Sequence, residues 1–309
     1  NDKLNPKDLT PKEDVVIVVS KSNFIKRVSA NEYKNQKRGG VGARTVNKTE
    51  GIRQLISTTT HDNLLIVTDA GKGYSIPVLN IPEGGKKSKG VSLLSIVSMS
   101  ADEEPTMITS FDGDNTKPFL FFCTKNGTVK RLSTDECKSL STKGSIVIKL
   151  REGDSVVSAC EVSGDEEVML LTRKGMSIRF SCSEVKPTKK AAIGVKGITL
   201  GDGDSVAAAV ILDDPTKTLF IATRGGFGKR VSLDEFRSQK RGGKGLICYK
   251  TKKREEEIVG GVMVGDDDEL YLTSTAGAVV RTNAKDIGIS SREAKGVKVI
   301  AGELKNVAI

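Results

Sequence analysis

The strongest constraint on this chain is a pattern that returns six times. An apolar, β-rich run, a Ser or Thr, a turn and a second short strand recur at 16–27, 64–76, 119–131, 168–180, 219–230 and 270–281. The turn residues Asn23, Gly71, Gly127, Gly175, Gly226 and Gly277 are spaced by 48, 56, 48, 51 and 51 residues. A tight hairpin needs positive φ, which Gly adopts freely and Asn tolerates. Three residues before each turn stand Ser20, Thr68, Thr124, Thr172, Thr223 and Ser274, whose hydroxyls can bond local turn backbone. Repeats of this length made of short strands describe propeller blades, in which radial repetition hides most sheet edges. Helical solenoids share the period but need long 3.6-residue periodicity, and only the stretch near 232–237 offers any. The expected fold is therefore all-β, a single six-bladed, propeller-like disc of four-stranded blades over 13–309. The polar stretch 1–12 reads as a linker.

A second glycine column follows each hairpin by roughly twenty residues: Gly42, Gly90, Gly144, Gly194, Gly245 and Gly296. Its surroundings are basic. They include Lys37-Arg38-Gly39-Gly40 with Arg44 beyond, Lys86-Lys87-Ser88-Lys89, Lys143, Lys189-Lys190, Arg241-Gly242-Gly243-Lys244, and Arg292 with Lys295. Two further recurrences, Glu152-Gly153-Asp154-Ser155-Val156 and Asp202-Gly203-Asp204-Ser205-Val206, read as turns feeding the next strand.

Charge then narrows the partner. The 309 residues carry 49 Lys and Arg against 39 Asp and Glu, a formal charge of +10 that attracts polyanions. An anionic membrane is a poor match, because the apolar runs, such as 15–19, 119–123 and the longest, 206–212, stop at seven residues or fewer. The excess is local: 224–254 holds eleven basic residues, Lys229 and Arg230 among them, against Asp234 and Glu235. Basic loops recurring once per blade would form a continuous track along one edge, suited to duplex DNA, whose phosphates supply affinity without sequence information. Single strands need stacking aromatics, and the chain has no Trp and 4% aromatic residues. The alternative from another class is a propeller that docks an acidic protein through the same edge.

Enzymatic constellations are missing from the inventory. His61 is the single histidine, which denies a multi-histidine metal site and reads as a turn residue before Asp62-Asn63. The run 225–228 resembles a phosphate loop but falls on the fifth hairpin, and the acidic run 266–269 lacks EF-hand spacing. Five scattered cysteines, Cys123, Cys137, Cys160, Cys182 and Cys248, contain no CxxC pair and fit a reducing cytoplasm. No catalytic residue, metal or cofactor is expected in this stretch.

Gln239-Lys240-Arg241-Gly242-Gly243-Lys244-Gly245 resembles the basic glycine-rich heptad of the C-terminal domain of the DNA gyrase A protein. Its glycines would let backbone N–H groups approach phosphate, while Lys and Arg neutralise the DNA charge. Residues 228–237, 13–20, 126–131 and 296–300 resemble blades of that family as well, so the likeness runs from about 13 to 309. It implies a six-bladed β-pinwheel, with strands exchanged between neighbours, that wraps duplex DNA around its rim so that the holoenzyme can introduce negative supercoils. ATP, Mg²⁺ and the catalytic tyrosine would belong elsewhere in the enzyme. The implied partners are DNA, the gyrase B protein and the rest of the gyrase A protein in an A2B2 assembly, with the fragment itself a cytoplasmic monomer. One departure stands out: the first repeat carries Gln36-Lys37-Arg38-Gly39-Gly40-Val41-Gly42, with Val41 where a basic residue belongs, and the closer match sits in the fifth. This departure keeps the paralogous topoisomerase IV protein in view.

Overall fold

The computed structural model describes residues 5–38, 51–111, 113 and 116–309. They form two compact units: one runs to Lys117 and adds Thr134–Val147, and the other joins Pro118–Ser133 to Ile148–Ile309. Six small sheets carry the fold among the described residues, each built on one of the six hairpins.

In the first unit, the hairpin Asp14–Ser20 with Phe24–Ser29 is flanked by Ile52–Thr59 and by the two-residue strand Val91–Ser92. The hairpin Asn63–Thr68 with Lys72–Pro77 is flanked by Pro105–Phe111 and Ser145–Ile146. The second unit repeats the scheme. Phe119–Thr124 and Thr128–Ser133 lie between Val156–Val162 and Val195–Lys196, and Glu167–Thr172 and Met176–Ser181 between Val206–Leu212 and Leu246–Ile247. The fifth hairpin, Thr218–Thr223 with Phe227–Val231, has Ile258–Val264 on one edge and both Ile289–Ser290 and Val297–Lys298 on the other. The sixth sheet is three-stranded among the described residues: Val279–Asn283, Glu269–Ser274 and Leu304–Ala308.

Each short fourth strand comes from the following repeat. Val91 pairs with Ile25, Ser145 with Gly73, Val195 with Val129, Leu246 with Ser177 and Val297 with Gly228, so every one of these sheets is completed by its successor.

The turn column behaves as its chemistry requires. Asn23 has φ 63°, the one non-glycine positive φ among the described residues, and the five turn glycines lie between 75° and 92°. The hydroxyl column closes the same turns: Ser20 Oγ accepts from Phe24 N at 3.0 Å, Thr124 Oγ1 from Thr128 N at 3.1 Å, and Thr172 Oγ1 from Met176 N at 2.9 Å. Thr223 and Ser274 accept from Phe227 N and Ala278 N. Thr68 departs because its hydroxyl donates to the buried Glu103, which also accepts from the Tyr74 hydroxyl. All six outer strands slip register beside this column, a bulge that re-aims the chain into the turn. The acidic recurrences also serve turns, since Asp154 Oδ1 accepts from Asn126 N and Asp204 Oδ1 from Lys174 N.

In the second to fifth repeats the first hairpin strands are buried on both faces, which is why they read as unbroken apolar runs rather than alternating ones. Their side chains enter clusters shared by successive repeats. Phe121, Val129, Leu170 and Phe180 meet in one, Leu171, Leu219, Phe236 and Tyr249 in the next, and Phe220, Leu270 and Leu304 in a third. Four of the five cysteines are buried.

Helix appears where sequence periodicity pointed elsewhere. Ala30–Arg38 forms a nine-residue helix in the first repeat, begun by Ser29 Oγ accepting from Glu32 N. The expected stretch near 232–237 holds only the 3-10 turn Leu233–Glu235, because Phe236 must turn inward to the core, where it is 2% exposed.

Candidate nucleic-acid interface

Each described basic loop sits on the sheet of the preceding repeat. The second glycine column makes that seat possible: a β-carbon at Gly245 would lie 1.9 Å from Ser177 O, at Gly194 2.4 Å from Val129 O, and at Gly90 2.2 Å from Ile25 O. All three have positive φ. The close approach that glycine permits is therefore to the neighbouring strand, and the expectation that Gly245 opens the backbone to phosphate is corrected. The heptad also lies against the fourth sheet, not the fifth hairpin from which its repeat number comes.

Two residues in the second hairpin strands then fasten these loops. Three positions after the turn stand Lys26, Tyr74, Lys130, Ile178, Lys229 and Val280, so the first, third and fifth repeats carry lysine. Lys130 Nζ donates to Lys189 O, Lys190 O and Ala192 O at 2.7, 2.9 and 3.0 Å, and is 1% exposed. Lys229 Nζ donates to Ser291 O, Arg292 O and Ala294 O at 3.2, 2.7 and 2.8 Å. Lys26 Nζ donates to Gly85 O and Ser88 O, both at 2.9 Å.

One residue further on, arginines grip the short helical turn of the next repeat. Arg27 Nε donates to Ile81 O, Arg131 Nε to Val185 O, Arg179 Nη1 to Leu233 O and Phe236 O, and Arg230 Nη1 to Ala284 O and Ile287 O. Arg230 also pairs with Asp266 at 2.5 Å.

Lys229 and Arg230 were expected to face DNA, and the structure overturns this. They are 2% and 4% exposed, with their donors committed to carbonyls of the sixth repeat, the Asp266 carboxylate and the Thr218 hydroxyl. A buried cation is stable only with such partners. The Lys-Arg pair is thus a staple between repeats, which sequence shows only as charge.

Within the heptad, roles divide. Arg241 is half-buried, with Nε donating to Glu184 O at 3.2 Å and Nη1 to Lys196 O at 3.1 Å. Gly242 N donates to Gly197 O, Thr199 Oγ1 donates to Gly242 O, and Thr199 N donates to Gly243 O. Gln239 is half-buried and its N donates to Arg179 O. Lys240 and Lys244 remain exposed on this fixed frame.

The other loops present Lys86, Lys87, Lys89, Lys143 and Lys189 exposed and Lys190 half-buried, with Lys89 lying 4.3 Å over the Phe24 ring. Gly39, Gly40 and Arg44 lie outside the described residues, as do the side chains of Gln36, Lys37 and Arg38.

No cluster of three or more His, Cys, Asp or Glu placed to hold a metal occurs among the described residues. His61 Nε2 donates to Thr10 O at 2.8 Å within a turn. The acidic run 266–269 serves ion pairs, Asp266 to Arg230 and Glu269 to Arg281. No helix among the described residues is long and apolar enough to cross a membrane.

Burial sets the alkaline response. It pushes the Cys182 and Cys248 thiols up to about 12, raises Cys123 as well, and pushes the Lys229 ammonium down to about 8. Between pH 9 and 10.5 the unfolded chain ionises its thiols first, so each of the three costs stability as pH rises. Over the same window the unfolded chain holds the lysine proton more tightly, so Lys229 acts in the opposite direction. Three thiols against one ammonium leave a net loss on the order of 2 kcal/mol per pH unit, and the Tyr74 and Tyr249 phenols, also raised by burial, add to it toward pH 10. Urea midpoints should fall between pH 9 and 10, and a flat or rising midpoint would contradict the buried-thiol account.

Comparison with known proteins agrees with this architecture. The family model described as DNA gyrase C-terminal domain, beta-propeller, matches residues 14–57, 62–104, 118–159, 166–213, 217–264 and 268–306, one match per hairpin repeat. The DNA gyrase A protein of Lawsonia intracellularis is 35% identical over 297 residues, covering 95% of this chain and 36% of the relative. That of Staphylococcus epidermidis is 33% identical over 301 residues, covering 96% and 34%. The chain thus spans about a third of the length of these relatives. Among solved structures, the C-terminal domain of DNA topoisomerase IV superposes with TM-score 0.86 at 26% identity, covering 97% of this chain and 94% of the other. The DNA gyrase A C-terminal domain superposes with TM-score 0.72 at 27% identity, covering 96% and 99%. With six matched repeats, six hairpin-based sheets and strands passed from each repeat to its predecessor, this chain belongs to the DNA gyrase C-terminal domain family of beta-propellers.

Proposed function

We propose that the chain binds duplex DNA without sequence preference and bends it around its basic loops, acting as the wrapping module of a gyrase-type topoisomerase. The observation that carries this reading is the repeated loop: a backbone seated firmly on the preceding sheet, with lysines such as Lys86, Lys87, Lys189, Lys240 and Lys244 turned to solvent. Firmly seated loops bearing exposed cations suit a phosphate backbone, where neutralisation rather than base contact supplies affinity. Bending a 20–30 base-pair site costs roughly 1–6 kcal/mol, so several loops must share the work. ATP and Mg²⁺ would act in other parts of the enzyme, the gyrase B protein and the remainder of the gyrase A protein, in the cytoplasm.

A second reading has its own support. The superposition on the topoisomerase IV domain, at TM-score 0.86, exceeds that on the gyrase domain, at 0.72. One experiment separates them. DNA closed and relaxed by a relaxing topoisomerase while the chain is bound should keep positive writhe. Binding that leaves no writhe favours the topoisomerase IV-like reading, and absence of salt-sensitive duplex binding overturns both.

A further inference from the structure

The buried lysines of alternate repeats are cations that no phosphate can reach, yet each ends on the carbonyls of a basic loop. Lys130 closes a cage of Lys189 O, Lys190 O and Ala192 O, and the same geometry recurs at Lys229 and, with two carbonyls, at Lys26. The second and fourth repeats lack it. There Tyr74 underlies Gly144, and the heptad above Ile178 is fastened by Arg241 and Thr199 instead.

An ammonium among three carbonyls does two things at once. It gives a charged donor to oxygens that otherwise hold at most a backbone N–H, such as Ala192 N on Lys189 O and Ala294 N on Ser291 O, and it fixes the direction of those peptide groups. With its carbonyls drawn inward, a loop turns its side chains and remaining peptide surface outward. A loop of this length without the anchor would sample many conformations, and ordering it on a ligand would cost affinity.

We infer that Lys26, Lys130 and Lys229 are positioning residues for DNA binding: each holds the basic loop of the following repeat in its phosphate-ready form without itself touching the ligand. This role rests on the DNA-binding reading above and extends it to residues that reading does not use. It also divides the loops into two classes, lysine-caged loops in repeats two, four and six and arginine-fastened or ring-seated loops in five and three.

The test uses the full chain and a linear duplex, with affinity read across a salt series. Lys130→Met, nearly isosteric and uncharged, should remain folded by circular dichroism yet bind about fivefold more weakly, with the slope of log K against log salt reduced by about one to two. Lys189→Ala/Lys190→Ala should give a similar loss, and adding Lys130→Met to that pair should add little, because both act through one loop. A purely structural lysine would leave the salt slope unchanged and its effect would add in full. If the Lys189/Lys190 variant binds as tightly as the parent, the loop is not a DNA surface and the underlying reading fails there. If that variant loses affinity while folded Lys130→Met does not, the positioning role is wrong. Should Lys130→Met fail to fold, Lys26→Met against Lys86→Ala/Lys87→Ala repeats the cycle on an independent copy with the same criteria.

Discussion

Replacing Lys240 and Lys244 together by Ala is expected to weaken duplex binding about ten- to a hundredfold near 0.1 M salt, and to lower the salt slope by about two. Both side chains are exposed on a frame that neither of them builds. The frame is made by Arg241, Gly242, Gly245 and Thr199, so the double variant removes charge while leaving the loop in place. Its urea midpoint should therefore match the parent's, since exposed substitutions of this kind seldom exceed ~0.5 kcal/mol. Arg241 stays in place in this variant: its guanidinium holds Glu184 O and Lys196 O, and removing it would confuse loss of contact with loss of shape. Fluorescence anisotropy over a salt series decides the matter, and an unchanged affinity in the folded double variant would remove the heptad from the DNA surface.

Gly245→Ala should destabilise the fold by about 4 kcal/mol. A non-glycine residue at φ 77° costs roughly 1–2 kcal/mol, and forcing a methyl against a backbone oxygen 1.9 Å away adds the expense of moving a strand. Leu246–Ile247 would have to leave the edge of Met176–Ser181, opening the fourth sheet. Gly277→Ala provides the internal control. It shares the positive φ, 88°, but a β-carbon there meets nothing within 4 Å, so only the conformational strain remains, about 1 kcal/mol. Urea titration of both variants reads the difference, and equal losses would show that the contact with Ser177 is unimportant.

What sequence made legible was what is local. Asn23 and the five turn glycines, the hydroxyls three residues before them except that of Thr68, and the acidic turns at 152–156 and 202–206 act within a few residues of themselves or on the adjoining turn, so spacing and side-chain chemistry suffice to read them. The propeller class followed from their period. What escaped was everything that joins one repeat to the next. Lys229 and Arg230 look like the basic residues beside them, because composition records charge and not whether fifty residues later a carbonyl waits to receive it. Gly245 looks like a device for admitting phosphate because the strand it touches, at Ser177, is 68 positions away. The helix at Ala30–Arg38 escaped for the opposite reason: the same position in the fifth repeat is pulled out of helix by Phe236, and the repeat pattern hid the difference.

The passing of a short strand from each repeat to its predecessor bears on how such a chain could gain or lose copies. A deletion cut at the family boundary after residue 213 would leave Met176–Ser181 with a bare edge, since Leu246–Ile247 lies beyond the cut. The self-sufficient module is therefore offset from the sequence repeat, beginning with one hairpin and ending inside the next copy. Gene duplication that respects the sequence period inherits a donor and an acceptor edge together, so a newly inserted copy can be stitched into its neighbours at once, whereas shortening by truncation always leaves one seam open.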